Sequence, residues 1–215
     1  MKSSIIPMSV ALAAMLSAIP PNVSRADAPV RVGGGAVNMF VTGPGGSPIP
    51  PLDTPLFGVH CPGCPITAPD GHQIMLGEWV KAQMTATVRC IPDGTHVEVR
   101  MTGLIPNGVY TIWVLVFNGP FDPTFSTLVG GGSLGANDGS QNSFKASANG
   151  QGQLVVNMPP TTLLAIPYDV KGCLLDEVEV HLVGVYHSDG MTYGPVPGYA
   201  HSAEVQFGVP IKLAP

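Results

Sequence analysis

Gly103-Leu-Ile-Pro-Asn-Gly-Val-Tyr-Thr-Ile-Trp-Val-Leu-Val-Phe117 is the stretch whose reading decides the fold. Pro106 fixes φ and Asn107-Gly108 tolerate positive φ, so the stretch opens with a tight turn. The nine residues from Val109 to Phe117 are uncharged and rich in β-branched and aromatic types. Both parities are apolar: Val109, Trp113, Leu115 and Phe117 on one, Tyr110, Ile112, Val114 and Val116 on the other. A strand apolar on both faces is covered on both faces, which makes this the central strand of the core. A buried helix is the competing reading, disfavoured by the β-branched content and the preceding turn.

Shorter strand signals surround it. Gln83 to Cys90 and Thr95 to Leu104 alternate apolar and polar residues around a Pro92-Asp93-Gly94 turn, predicting an antiparallel hairpin with one wet face. Asn142 to Ala148 and Gln153 to Met158 flank Asn149-Gly150-Gln151-Gly152, a second hairpin signal. Leu175 to His187 and Ala200 to Val209 read as the last two strands, with His201, Ala203, Val205 and Phe207 expected on one apolar side. His72 to Lys81 reads as a strand, and Thr161 to Tyr168 as a turn of helix. A short helix or edge strand is expected around Pro123 to Val129. The sum is an all-β chain: an immunoglobulin-like antiparallel β-sandwich of about eight or nine strands, with a small β-barrel as the alternative.

The N-terminus carries different information. Lys2, an uncharged stretch from Ile5 to Ile19, and Ser24-Arg25-Ala26 have the form of a secretory signal peptide over residues 1–26. The apolar stretch is short for a membrane span and contains Pro7. Residues 27–56 follow as a Pro/Gly-rich segment: Asp27 to Gly35 a mobile leader, Ala36 to Thr42 a short strand, and an irregular stretch to Pro55. Residues 57–215 are expected to form a single sandwich domain.

Charged residues are 11% of the chain, which has 9 Lys plus Arg against 14 Asp plus Glu. Cleavage would also remove Lys2 and Arg25, leaving 7 cationic residues against 14 acidic ones. That balance argues against nucleic acid or an anionic membrane surface as partner. The 27 Gly and 23 Pro punctuate apolar runs, a composition suited to many turns.

An exported chain with four cysteines is expected to pair them. Of three connectivities, Cys90–Cys173 with Cys61–Cys64 is favoured: the first bridge ties the end of one strand to the approach of another, and the second closes a Cys-Pro-Gly-Cys loop. No amphipathic helix follows Cys61-Pro-Gly-Cys64, so the motif lacks the context of a redox site. Six histidines are present, and His60, His72, His181 and His187, with Cys61 and Cys64, form the candidate metal set. His and Cys ligands in an oxidising compartment favour copper, and His with carboxylate favours zinc. His181 and His187 share one face of a strand but lie roughly 20 Å apart if it stays extended. The other reading makes each histidine a polar residue at a strand end or on a wet face, His96 among them, and sets the acids Asp176, Glu177 and Glu179 at a rim or in water.

No nucleophile elbow, zinc-protease motif or phosphate loop is present. The run Gly103 to Trp113, with Asp138-Gly-Ser-Gln-Asn-Ser-Phe144 and Glu177-Val-Glu-Val-His-Leu-Val183, resembles uncharacterised secreted β-sandwich proteins of microbes, over roughly Pro69 to Val209. That resemblance implies a sandwich and export, and no activity. The Leu-x-Pro-Asn-Gly approach is also similar to that of copper/zinc superoxide dismutases. Those need a His-x-His pair where this chain has Tyr110 and Ile112, so dismutase chemistry does not transfer. The expectation is an exported, non-enzymatic module of an envelope or matrix, without a cofactor, that binds an unidentified protein or surface partner. The alternative is a periplasmic or extracellular copper- or zinc-binding protein.

Overall fold

The computed structural model describes residues 30–35, 51–58, 61–122, 124–199 and 202–213. The expected signal peptide, the strand at Ala36 to Thr42, and His60 and His201 lie outside them. Among the described residues all strand pairings are antiparallel, and nine strands form two facing sheets. The first sheet runs β1 (Val30–Gly35), β4 (Gln83–Ile91), β5 (Gly94–Thr102), β9 (Gly152–Met158). The second runs β13 (Ala203–Lys212), β12 (Glu179–His187), β6 (Val109–Phe117), β7 (Leu128–Ser133), with β8 (Ser143–Lys145) sharing the β6 edge with β7. Two small hairpins complete the set: β2 (Phe57–Gly58) with β3 (Cys61–Pro65), and β10 (Thr161–Leu163) with β11 (Tyr168–Val170). The fold is an all-β sandwich.

β6 is the strand on which the rest depends. Its approach turns at Asn107, held at φ 59° with Gly108 N–H donating to Ile105 O at 3.0 Å. Tyr110, Ile112, Val114 and Val116 enter the inter-sheet core beside Val97, Val99, Leu182 and Tyr186. Trp113, Leu115 and Phe117 form a second apolar layer on the outer face with Val183, Val185 and Val205. A sheet packed on both faces explains why neither parity of this strand carries a charge.

Several expectations need correction. Of the leader expected over Asp27 to Gly35, the described part, Val30–Gly35, is strand β1, paired with β4 from Val30↔Val88 to Gly35↔Gln83. The packed body also reaches back before residue 57: Leu56 is buried, and Gly77 N–H donates to Leu52 O at 2.7 Å. The stretch His72 to Lys81 is bridged only at Gln73 and Met75, then closes into α1 (Leu76–Trp79). Glu78 accepts the Met75 N–H at 2.9 Å, a local bond that competes with strand pairing. Thr161 to Tyr168 is the β10–β11 hairpin, where a turn of helix was expected.

The last strand holds a bulge. Val185 pairs with Val205 and Gly184 with Phe207, leaving Gln206 as an extra residue. Parity flips there, so Val205 stays in the outer layer while Phe207 joins the inner core. Gly184 makes this feasible, since a Cβ at that position would fall 2.1 Å from the Phe207 ring. Gln206, fully buried, accepts from Tyr110 Oη at 2.7 Å and donates to Trp79 O at 3.0 Å. One buried amide thereby links β6, β13 and the end of α1.

Candidate functional site

The outer face of β6 and β12 carries the polar groups that a simple sandwich would place in water. From Glu179 to His187, every residue of β12 is buried. Its outward parity reads Glu179, His181, Val183, Val185, His187. The acid and the two histidines therefore stand at the ends of an apolar strip, each beneath a loop.

At one end, His181 Nε2 lies 2.5 Å from Glu179 Oε1, and both side chains are almost wholly buried. Glu179 is thus not at a wet rim. The rings of Phe117 and Phe121 lie 4.8 and 5.5 Å from the imidazole. The other Glu179 oxygen accepts the backbone N–H of Phe121 at 3.2 Å. That bond attaches the loop after β6 to the sheet beneath it. Asp122 accepts from Ser126 Oγ and from the hydroxyl and N–H of Thr124, which hold its carboxyl down at about 2. This knot turns Phe125, at φ 59°, back onto Phe117 and Phe121.

At the other end, His187 is 2% exposed, with Nε2 at 2.8 Å from Thr111 Oγ1. The same oxygen accepts the Trp113 indole N–H at 2.8 Å. His187 Nδ1 has no hydrogen-bond partner among the described residues. Burial disfavours its charged form and pushes its pKa down to about 4, against a smaller opposing pull from Asp189.

Above His187 lies the β12–β13 loop, residues 188–199. The Tyr193 ring lies 6.3 Å from the imidazole at a tilt of 38°, and its hydroxyl donates to Asp189, which also accepts Met191 N–H at 3.0 Å. The loop also meets the β7–β8 connection. A Cβ on Gly139 would stand 2.0 Å from Gly194 O, so only glycine fits that contact. Backbone bonds from Ser188 to Ser202 and from Ser202 and Ala203 to Tyr199 close its base. On this braced frame Met191, Val196 and Tyr199 project outward, 57, 43 and 56% exposed.

The residues singled out from the sequence are dispersed. Cys61 is joined to Cys64 and Cys90 to Cys173, with no free cysteine among the described residues. Two bridges of this kind belong to an oxidising environment. His72 lies on the surface between Asp70, 2.5 Å from Nδ1, and Glu78, 2.9 Å from Nε2; these carboxylates, Glu78 first, raise its pKa. His181 and His187 serve opposite ends of β12. Among the described residues no group of three or more His, Cys, Asp or Glu is placed to hold a metal ion. No helix among them is long and apolar enough to cross a membrane.

The Gly and Pro residues from Gly190 to Gly198 mark a turn region and nothing more in the sequence. The signal available there was Met191, Tyr193, Val196 and Tyr199, apolar and aromatic residues spaced among Gly and Pro in a segment that is not a strand. No family model, curated protein or solved structure matches the chain at a significant level.

Proposed function

We propose that this chain is an exported, non-enzymatic β-sandwich module that works in an envelope or matrix by engaging a protein or surface partner through the 188–199 loop. The observation that carries the reading is the braced loop with Met191, Val196 and Tyr199 on its outside. A loop already ordered before contact loses little entropy on binding, and exposed aromatic and aliphatic side chains on such a frame supply contact area. The disulfides support the oxidising compartment that export implies. His181 and His187, the side chains best suited to acid–base work, are shut inside structural contacts, which favours a scaffold role over a catalytic one.

The test is a triple Met191→Ser/Val196→Ser/Tyr199→Ser variant expressed in the native producer. Wild type should fractionate outside the cytoplasm and remain with the envelope or matrix. The variant should keep its melting temperature and pass into the soluble extracellular fraction. Equal retention of the variant would remove the loop from the reading, and recovery of wild type in the cytoplasm with reduced cysteines would remove export.

A further inference from the structure

We propose that an open groove between the wet face of the first sheet and the β8–β9 connection binds short saccharides bearing a carboxylate. The groove has a volume of about 440 Å³, within the range of small-ligand sites. Its walls carry Arg100 and Thr102 from β5, Gln153 from β9, Lys145 from β8, and Ser147 and Gln151 from the turn between β8 and β9. Register explains the grouping. Arg100 pairs with Gln153 across β5 and β9, both on the outward parity, and Lys145 pairs with Val109 at the start of β6.

The chemistry of this lining is one-sided. Every one of the six side chains has a hydrogen to donate, two are cations, and no described carboxylate lines the groove. Ser147 Oγ accepts the N–H groups of Asn149 and Gln151, at 3.3 and 3.0 Å, which leaves its own proton to donate elsewhere. Glu98 stands beside Arg100 on the same wet face: its Oε1 takes Arg100 Nε at 2.7 Å, another Arg100 nitrogen at 2.6 Å, and Gln153 Nε2 at 3.4 Å. It holds those two side chains in place and offsets part of the guanidinium charge. Lys145 forms no ion pair or hydrogen bond with any described residue, so its ammonium is the uncompensated charge of the site.

Two amides and two hydroxyls beside a free ammonium match a hydroxyl-rich molecule with an isolated carboxylate. The acidic chain as a whole repels a long, densely charged polyanion, which excludes nucleic acid and favours a short uronate-bearing saccharide. This site is separate from the 188–199 loop, and the proposal does not rest on the function assigned to that loop.

The experiment is a titration of the full chain with a galacturonate trimer, its methyl ester and inorganic phosphate, followed by calorimetry and by NMR shifts. The acid trimer should bind, its shifts should fall on Lys145, Gln151 and Gln153, and Lys145→Ala should weaken it about tenfold, as expected for loss of one charge-assisted contact. The methyl ester and phosphate should bind at least tenfold more weakly than the trimer. Arg100→Ala and Lys145→Ala lie on the surface, and unchanged melting curves would show that they fold. Failure of all three probes to bind overturns the proposal. So does equal binding of acid and ester, which would mark a neutral-sugar groove, or equal binding of phosphate, which would mark a simple anion patch. Trimer binding that survives both variants would place the ligand elsewhere and also overturn it.

Discussion

His187 Nε2 and Thr111 Oγ1 sit 2.8 Å apart on the outer face of the sheet, and the same hydroxyl oxygen also takes the Trp113 indole N–H. Three side chains from two strands therefore share one oxygen beneath the 188–199 loop. The histidine is neutral there, with its pKa pushed down to about 4 by burial.

A pH dependence follows from that neutrality. Unfolded His187 takes up a proton below its ordinary pKa of 6.5, whereas the folded residue resists it down to about 4. Stability present above pH 6.5 is thus lost as pH falls through this window, by at most about 3 kcal/mol, and the loss levels off once both states hold the proton. Denaturant melts of wild type and His187→Gln at pH 7, 5.5 and 4.5 check this. The variant should be less stable at pH 7 but fall less steeply with acid; parallel slopes would mean that His187 is solvated.

The Glu179–His181 pair makes a different demand. Removing one partner of a buried pair strands the other, at a cost of about 3–5 kcal/mol. His181→Ala should approach that figure. His96→Ala, at a half-exposed position bonded to Asn157, should stay within about 0.5 kcal/mol. Urea midpoints of the two variants make the comparison, and a His181 effect as small as that of His96 would show that the pair is wet.

What was legible in the sequence is tied to periodicity. The two apolar parities of β6 announced a sheet packed on both faces, and the Pro-Asn-Gly approach announced its turn. The β4–β5 hairpin followed from clean alternation. Glu179 could not be read the same way. Its neighbour Val178 is the exposed one, at 42%, because the strand expected from Leu175 begins only at Glu179, after a single 3-10 turn at Leu174–Asp176. The loop carrying Phe121 and Phe125 bonds to the acid from above, and that contact spans 58 residues of sequence. Gln206 is likewise a bulge that an alternating pattern hides, and β1 became a strand only through its pairing with β4. The groove was illegible because Arg100, Lys145 and Gln153 come from three strands, each reading as an ordinary wet-face position.

Trp113→Ala tests the double-sided reading of β6 directly. The ring is fully buried in the outer layer, so its loss should cost about 3–5 kcal/mol. A cost under about 1 kcal/mol in denaturant melts would show that the outer layer is not packed and that the roofing loops do not cover it.

The two disulfides should differ sharply in what they contribute. Cys90 and Cys173 are 83 residues apart in sequence, while Cys61 and Cys64 are 3 apart. Closing a long loop restricts the unfolded chain far more than closing a short ring, and the entropy model assigns the long bridge about 4 kcal/mol. The bridge also lies next to a structural junction, since Leu174 N–H donates to Thr95 Oγ1 at 2.8 Å, joining the approach to β12 to the β4–β5 hairpin. Cys90→Ser and Cys173→Ser should therefore match one another and lower the melting temperature by roughly 8–16 °C. The Cys61→Ser/Cys64→Ser double variant should shift it much less. Peptide mapping under non-reducing conditions settles the pairing itself: a peptide joining Cys61 or Cys64 to Cys90 or Cys173 would overturn both the connectivity and this ranking.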